Sequence, residues 1–221
     1  ILTSKGLSPE EAIGITERKD YPILTGKEVM LQAEYKGSYG QAFTDAPSEF
    51  NGSLGDVLKM DIFNDAYARG LYFAMMNAVL THLGLTDHTV HCKSAEPAQC
   101  APKYIEWLKQ HYNAKKITLV GYQPSLFQTL SNDPDLFVRC LDLNPDNIGQ
   151  VRFGVTVEHG FDDYADAINW ADLILCTSSV FANATMDYYM DINKEVLFFG
   201  ITGAAPIYLL NLKRHCPLSQ P

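Results

Sequence analysis

The sequence predicts an α/β fold: a small N-terminal α+β domain built on an antiparallel hairpin with helices, then a Rossmann-like parallel sheet with helices on both faces. Three observations predict it. Apolar and polar residues alternate over 27–35 and again over 39–43, the period of a half-buried hairpin. Four later runs, 116–121, 136–143, 172–176 and 195–200, are short and almost continuously apolar, as strands covered on both faces must be. Helical patterns separate those runs, so strand and helix alternate as parallel βαβ units require.

Taken in order, the hairpin turns at Gly37-Ser38, and residues 47–55, rich in Ser, Asn, Gly and Pro, read as a loop. From Asp61, read as an N-cap, apolar residues recur almost all around a helix through Ala66, Leu71, Met75, Val79 and Leu83, until Gly84 stops it. Such a helix must be covered on most sides. Its most apolar part, 71–80, is interrupted by Asn77 and is too short and too polar for a bilayer span. A helix over 102–112 leads into the first parallel strand, and helices over 124–131, 164–170 and 186–192 complete the alternation. The expected domains are 1–100 and 101–221.

Seventeen basic and twenty-six acidic residues leave a net charge of −9, which repels a phosphate backbone and argues against nucleic acid. Five cysteines form an odd set in a 221-residue chain that is long enough to fold without disulfides. No basic segment with an apolar run and cleavage site opens the sequence, so a reduced, cytoplasmic setting is expected, with no membrane partner. Cys140 and Cys176, inside apolar runs, read as small buried hydrophobes.

Ligands of such sheets bind beyond the carboxyl ends of the strands. The strand-end segments are Gly121-Tyr122-Gln123-Pro124, Asp142-Leu143-Asn144-Pro145, Thr177-Ser178-Ser179 and Gly200-Ile201-Thr202-Gly203. Small, hydroxyl and amide residues let backbone approach a ligand and offer directed hydrogen bonds, although turns favour the same types. Asp142 stands twenty-one residues after Gly121, near the offset of a ribose-binding carboxylate. The turn at Gly121 lacks a glycine-rich phosphate loop, which favours a nucleoside or other small polar ligand over a dinucleotide, and capping of the turn before Pro145 is the alternative for Asp142. His91, Cys92 and Cys100 offer imidazole and thiolate to a transition or heavy metal ion, without a standard zinc spacing. Cys100, just ahead of Pro102, would gain thiolate character from a helix N-terminus; buried thiols and solvent-facing histidines are the plainer alternative. Asn77 is either a satisfied core amide or a group facing an inter-domain cleft, and Glu34 the same or an outward strand residue.

With these segments in view, the chain resembles a heavy-metal-chelation family whose members combine an enolase N-terminal-like domain with a Rossmann-like domain. The segment Thr177-Ser-Ser-Val-Phe-Ala-Asn-Ala-Thr-Met-Asp187 is similar to the family's Thr-Gly-Ser/Thr, two apolar residues, Asn-Gly-Thr-Leu/Ile-Asp motif. Ser178 and Ala184 stand where that motif has glycines. Gly200-Ile-Thr-Gly-Ala-Ala-Pro206 resembles the family's Gly-Pro-Ser/Thr loop, with Ile201 in place of its Gly-Pro. Val120 to Pro124 resembles its first Rossmann turn, and Met76-Asn77-Ala78 the end of its long helix. The resemblance implies a cleft between the domains and a connection to a metal or metal cofactor.

The expected ligand-binding residues are therefore Asn77, Asp142, Asn144, Thr177, Ser178, Ser179, Asn183, Thr185, Gly200 and Thr202, with His91, Cys92 and Cys100 as metal ligands. The expected function is small-ligand binding in metal or metal-cofactor metabolism. The alternatives are a group-transfer enzyme using a nucleoside cofactor such as S-adenosylmethionine, with Asp142 on the ribose, and a non-catalytic interaction module. The expected partner is a small molecule or metal, with a homo-oligomer left open. No general acid or base is assigned among His91, His159, Glu158 and Asp142.

Overall fold

The computed structural model describes residues 1–26 and 28–220; Lys27, the first residue of the expected alternation, lies outside them. In chain order the elements are β1 (Leu2–Leu7), α1 (Pro9–Ile13), β2 (Val29–Tyr35), β3 (Ser38–Thr44), β4 (Phe50–Gly52), α2 (Leu54–Val57) and α3 (Ala66–His82), then α4 (Glu96–His111), β5 (Lys116–Val120), α5 (Pro124–Ser131), β6 (Phe137–Asp142), β7 (Val151–Arg152), β8 (Val155–His159), α6 (Tyr164–Trp170), β9 (Leu173–Thr177), β10 (Glu195–Phe199) and α7 (Ala204–Leu209).

The first four strands form an antiparallel sheet in the order β3-β2-β1-β4. Its hairpin turns at Lys36 and Gly37, both at positive φ, so that Tyr35 faces Ser38. The turn lies one residue before the expected Gly37-Ser38, because two left-handed residues match the twist of the flanking strands. Glu34 points outward and is exposed. The second sheet runs β10-β9-β5-β6-β8-β7, with parallel pairing throughout except at the β7 edge. Counted among themselves, its five parallel strands take the order 3-2-1-4-5 of a doubly wound sheet, which reverses direction between β5 and β9.

Strand β8 was not anticipated. Its sequence, VTVEH, buries only Val157 fully, since beyond it the sheet carries only the two-residue β7. The expected helix over 186–192 is a single 3-10 turn, Met186–Tyr189. The helix expected from 102 begins at Glu96, with Pro97 in its first turn and Pro102 inside it.

Alternate residues of the parallel strands feed two cores. Ile117, Leu119, Leu173 and Leu175 meet Tyr104, Ile105 and Leu108 of α4 and Phe127 and Leu130 of α5. Val120, Ile174, Cys176 and Phe198, on the opposite face, join Ala167 and Ile168 of α6 and the side chains of α3. The same cluster contains Leu2, Leu31 and Ala33 of the antiparallel sheet, so α3 is covered by both sheets. This explains its all-round apolar pattern, since each fully buried Leu or Phe adds ~1.5–3 kcal/mol. The N-cap of α3 is Asp65, whose carboxylate accepts from the N–H groups of Tyr67 and Ala68. Asp61, the expected cap, instead closes the preceding turn through the N–H groups of Phe63 and Asn64. Among the described residues no helix is long and apolar enough to cross a membrane.

Two features seat α3. At Gly40 of β3 the helix backbone comes so close that a Cβ would collide with Ala78 N, Ala74 O and the Asn77 Cβ. Asn77, fully buried, then places its amide between three carbonyls, its two N–H hydrogens shared among Gln41 O (2.9 Å), Ile201 O (3.0 Å) and Thr202 O (3.0 Å), while its Oδ1 accepts from Ala205 N–H (2.8 Å). A methyl group at Gly40 meets the α3 backbone at Ala74 and Ala78 and must push the helix away. The Gly40→Ala variant is expected to lose at least about 2 kcal/mol of stability, measured as a lowered denaturation midpoint at unchanged slope.

Candidate functional site

The four strand-end segments converge. Strands β5, β6, β9 and β10 open at their carboxyl ends onto one cavity of about 540 Å³, closed on the far side by residues of the first domain such as Ile13, Tyr21, Glu28, Phe43 and Asp45. It lies at the reversal point of the sheet, where such folds hold ligands, and has the size of a small-molecule site.

Of the expected ligand residues, Asp142, Asn144, Thr177, Ser179, Asn183, Thr185, Gly200 and Thr202 line this cavity, as do His91, Cys92 and Cys100. Asn77 and Ser178 are not among its walls. The Asn77 side chain is fully engaged in the contacts described above. Ser178 is buried with an unpaired hydroxyl and packs toward the backbone at Gly200 and Gly203.

Local geometry explains these placements. Asp142 ends β6, with Oδ2 accepting from Tyr122 N–H (2.6 Å) and Oδ1 from Asn144 N–H (2.7 Å). It thereby ties the β5 loop to its own. Gly121, at φ 86°, has Thr177 Cγ2 within 2.6 Å of where a Cβ would stand, so its lack of a side chain lets the β5 and β9 ends meet. Thr177 Oγ1 accepts from Ser179 N–H and donates to Ser179 Oγ. Asn183 Oδ1 accepts from the N–H and hydroxyl of Thr185, while Arg69 donates to Ala182 O (2.8 Å) and anchors that loop to α3. Thr202 Oγ1 accepts from Phe43 N–H of the first domain (3.0 Å).

The C-terminal segment completes the wall. It pairs Phe198 with Lys213 and His215 through the backbone, then bridges Val90 to Gln220. Arg214 donates to Gly200 O, His88 O and Asp87 O, and His88 Nδ1 meets Ser219 O. His215 and Cys216 therefore stand in the cavity beside Cys100 and Tyr104. Arg214, His215 and Cys216 were not singled out as site residues from sequence, nor were Tyr104 and Glu28. A glutamate opening a strand reads as an outward residue, and a C-terminal Arg-His-Cys carries no recognisable spacing.

The metal-ligand expectation does not translate into a chelating geometry. Among the described residues no three His, Cys, Asp or Glu side chains group so as to hold a metal ion. His91 Nδ1 lies against Cys92 O at 2.5 Å, and burial lowers its pKa. Cys100 sits inside α4 rather than at its start, and burial pushes its thiol up to about 11, with Cys216 adding to the effect. The expected thiolate stabilisation is thus reversed, because desolvation outweighs a helix terminus one turn away. Burial raises Cys92 further. All five cysteines are free, and Cys140 and Cys176 are fully buried, as small hydrophobes are.

The acidic side of the cavity is different. Burial, with repulsion from Asp142 and Asp45, raises Glu28 to about 7. His215 is lowered to about 4 by burial, with His111 and Arg214 adding repulsion.

No family profile and no curated protein matches the chain. Among solved structures it is similar to a DUF364-family protein of unknown function from Pyrococcus horikoshii, with a TM-score of 0.54 and 18% identity over 83% of this chain and 72% of that one. A DUF364-family protein of unknown function from Desulfitobacterium hafniense DCB-2 gives 0.50 and 10%, over 85% and 74% of the two chains. At these identities the likeness is one of fold, and it supports the Rossmann-like architecture.

Two outcomes follow from this geometry. A carboxyl raised from 4.5 to about 7 holds its proton in the folded state while the unfolded chain has lost it, so wild-type stability falls as pH rises through that window. The Glu28→Gln variant should lack this slope, and its stability relative to wild type should increase from pH 4.5 to pH 8 by an amount on the order of 3 kcal/mol. Denaturation midpoints across the pH range check it. Ala184, beside Asn183, has φ 60°, a conformation that costs a side chain roughly 1 kcal/mol. Ala184→Gly should therefore raise the melting temperature by about 1–3 °C.

Proposed function

We propose that this chain binds a small organic ligand in the cleft between its antiparallel and parallel sheets, in the service of metal or metal-cofactor metabolism. The carrying observation is the single recess into which four strand-end loops and the first domain all turn polar groups. Its walls are otherwise apolar, the composition of a small-molecule pocket. Asp142, Asn144, Thr177, Ser179, Asn183 and Thr202 supply the hydrogen-bonding groups in this reading.

The metal connection is supported by the sequence resemblance to a heavy-metal-chelation family. Direct chelation by His91, Cys92 and Cys100 does not fit the residues as they stand, since among the described residues no three such side chains group around one point. A nucleoside cofactor serving group transfer is the second reading. It is favoured by one feature: Asp142 ends the second parallel strand, where a ribose-binding carboxylate stands in dinucleotide folds. An interaction module that leaves the cleft empty is the third.

Three measurements separate these readings. Native mass spectrometry of untagged protein should show a small-molecule mass that is released on denaturation, whereas an interaction module carries none and tolerates Asn183→Ala without change. S-adenosylmethionine, its demethylated product or an adenine nucleotide should raise the melting temperature by mass action only if the second reading holds. Elemental analysis should find equal, near-zero metal in wild type and in the Cys92→Ser/Cys100→Ser variant; metal present in the first and lost in the second would restore direct chelation.

A further inference from the structure

The cleft has a charge signature that narrows its occupant. Glu28, Asp45 and Asp142 reach it from the edge of β2, the end of β3 and the end of β6, so both domains contribute a carboxyl group. Among the described lining residues there is no Lys or Arg. His91 and His215, both pushed below their usual range by burial, contribute no positive charge at neutral pH.

Several of the donors with which a doubly wound crevice binds phosphate are already occupied. Such folds use free N–H groups at a helix N-terminus. Here α5 begins with Pro124, which has no N–H, and the Gln123 side chain already accepts from Leu126 N–H (2.6 Å). At the start of α7 the Asn77 oxygen holds Ala205 N–H (2.8 Å), and Ala204 N–H donates to Ile201 O. A phosphate entering the cavity would meet three carboxyl groups, and at the two helix starts Leu126, Ala204 and Ala205 N–H are already taken.

Tyr104 also lines the cavity, with 3% of its surface exposed and a buried hydroxyl that has no partner. Unpaired buried hydroxyls are uncommon and mark places where a polar atom is missing.

We infer that the occupant is an organic cation, an ammonium or sulfonium on an apolar body, with its charge among Glu28, Asp45 and Asp142 and a polar atom toward Tyr104. The inference rests on the ligand-binding reading above and names its substrate class. An inorganic cation is the other source of positive charge, but the carboxyl groups do not gather into a metal-holding set.

Cys92, Cys100 and Cys216 line the cavity and report its potential directly. The full-length protein is treated with methanethiosulfonate reagents of matched size carrying a trimethylammonium, a neutral methyl or a sulfonate group. Each rate is divided by that reagent's rate with 2-mercaptoethanol, and the modified cysteines are located by peptide mass. The expected result is a corrected rate at least tenfold higher for the cationic than for the anionic reagent, with the ratio falling toward one in Glu28→Gln/Asp45→Asn. Equal rates, or a faster sulfonate, overturn the charge assignment and leave the ligand-binding reading standing. If no reagent reaches the three cysteines, as burial of the Cys92 and Cys100 thiols allows, calorimetric titration with phenethylamine decides: binding weakened at least tenfold in Glu28→Gln/Asp45→Asn supports the inference, no binding overturns it, and a co-purified small-molecule mass then leaves the ligand-binding reading standing. Protection by zinc ion and not by phenethylamine would move the cation from organic to inorganic and overturn the inference.

Discussion

One buried amide holds the architecture in register. Asn77 sits at the centre of a helix shared by both sheets, and its four partners lie on β3, the β10 loop and the start of α7. Each partner is a backbone group removed from water, and leaving one unpaired costs about 1–3 kcal/mol. No apolar residue of the same volume can satisfy three carbonyls and one N–H. The helix can approach β3 closely enough for this only because position 40 has no side chain. Fold and cavity therefore share one constraint: the amide that fixes α3 against β3 also fixes the loop carrying Gly200 and Thr202.

The site follows from that arrangement. A doubly wound sheet supplies the crevice, and the first domain, pinned through α3 and Thr202, closes it. Tyr21 adds a further tie across the cleft through its hydroxyl contact with Ser125 of α5 (2.7 Å). Gln123 and Asn77 each occupy one N–H at a helix start, while three carboxyl groups, of which Glu28 holds its proton up to about pH 7, line the interior. Fold alone would suggest a nucleotide, and the residues at the crevice argue for a different ligand class.

Much of this was legible in the sequence because the relevant signals are local. Near-continuous apolar runs marked β5, β6, β9 and β10, and the strand-end loops followed from where those runs stop. Helix α3 announced its double coverage by having no polar face. Strand β8 was lost because a strand near a sheet edge alternates weakly, and the start of α4 was misplaced because Pro102 resembles a helix opening more than Pro97 does. Glu28, Tyr104 and Cys216 enter the cavity only through tertiary contacts, so nothing in their immediate neighbours could identify them. Cys100 shows the limit of local chemistry: the neighbouring Pro102 suggests a helix terminus and a thiolate, whereas the fold buries the thiol inside α4.

The claim that one amide couples both halves is tested most directly by native-state hydrogen exchange on wild type and Asn77→Ala. The account predicts that amides of β3 and of residues 201–205 lose protection together and by similar amounts, at least about 2 kcal/mol. Loss confined to one of those segments, with the other still protected as in wild type, would contradict it.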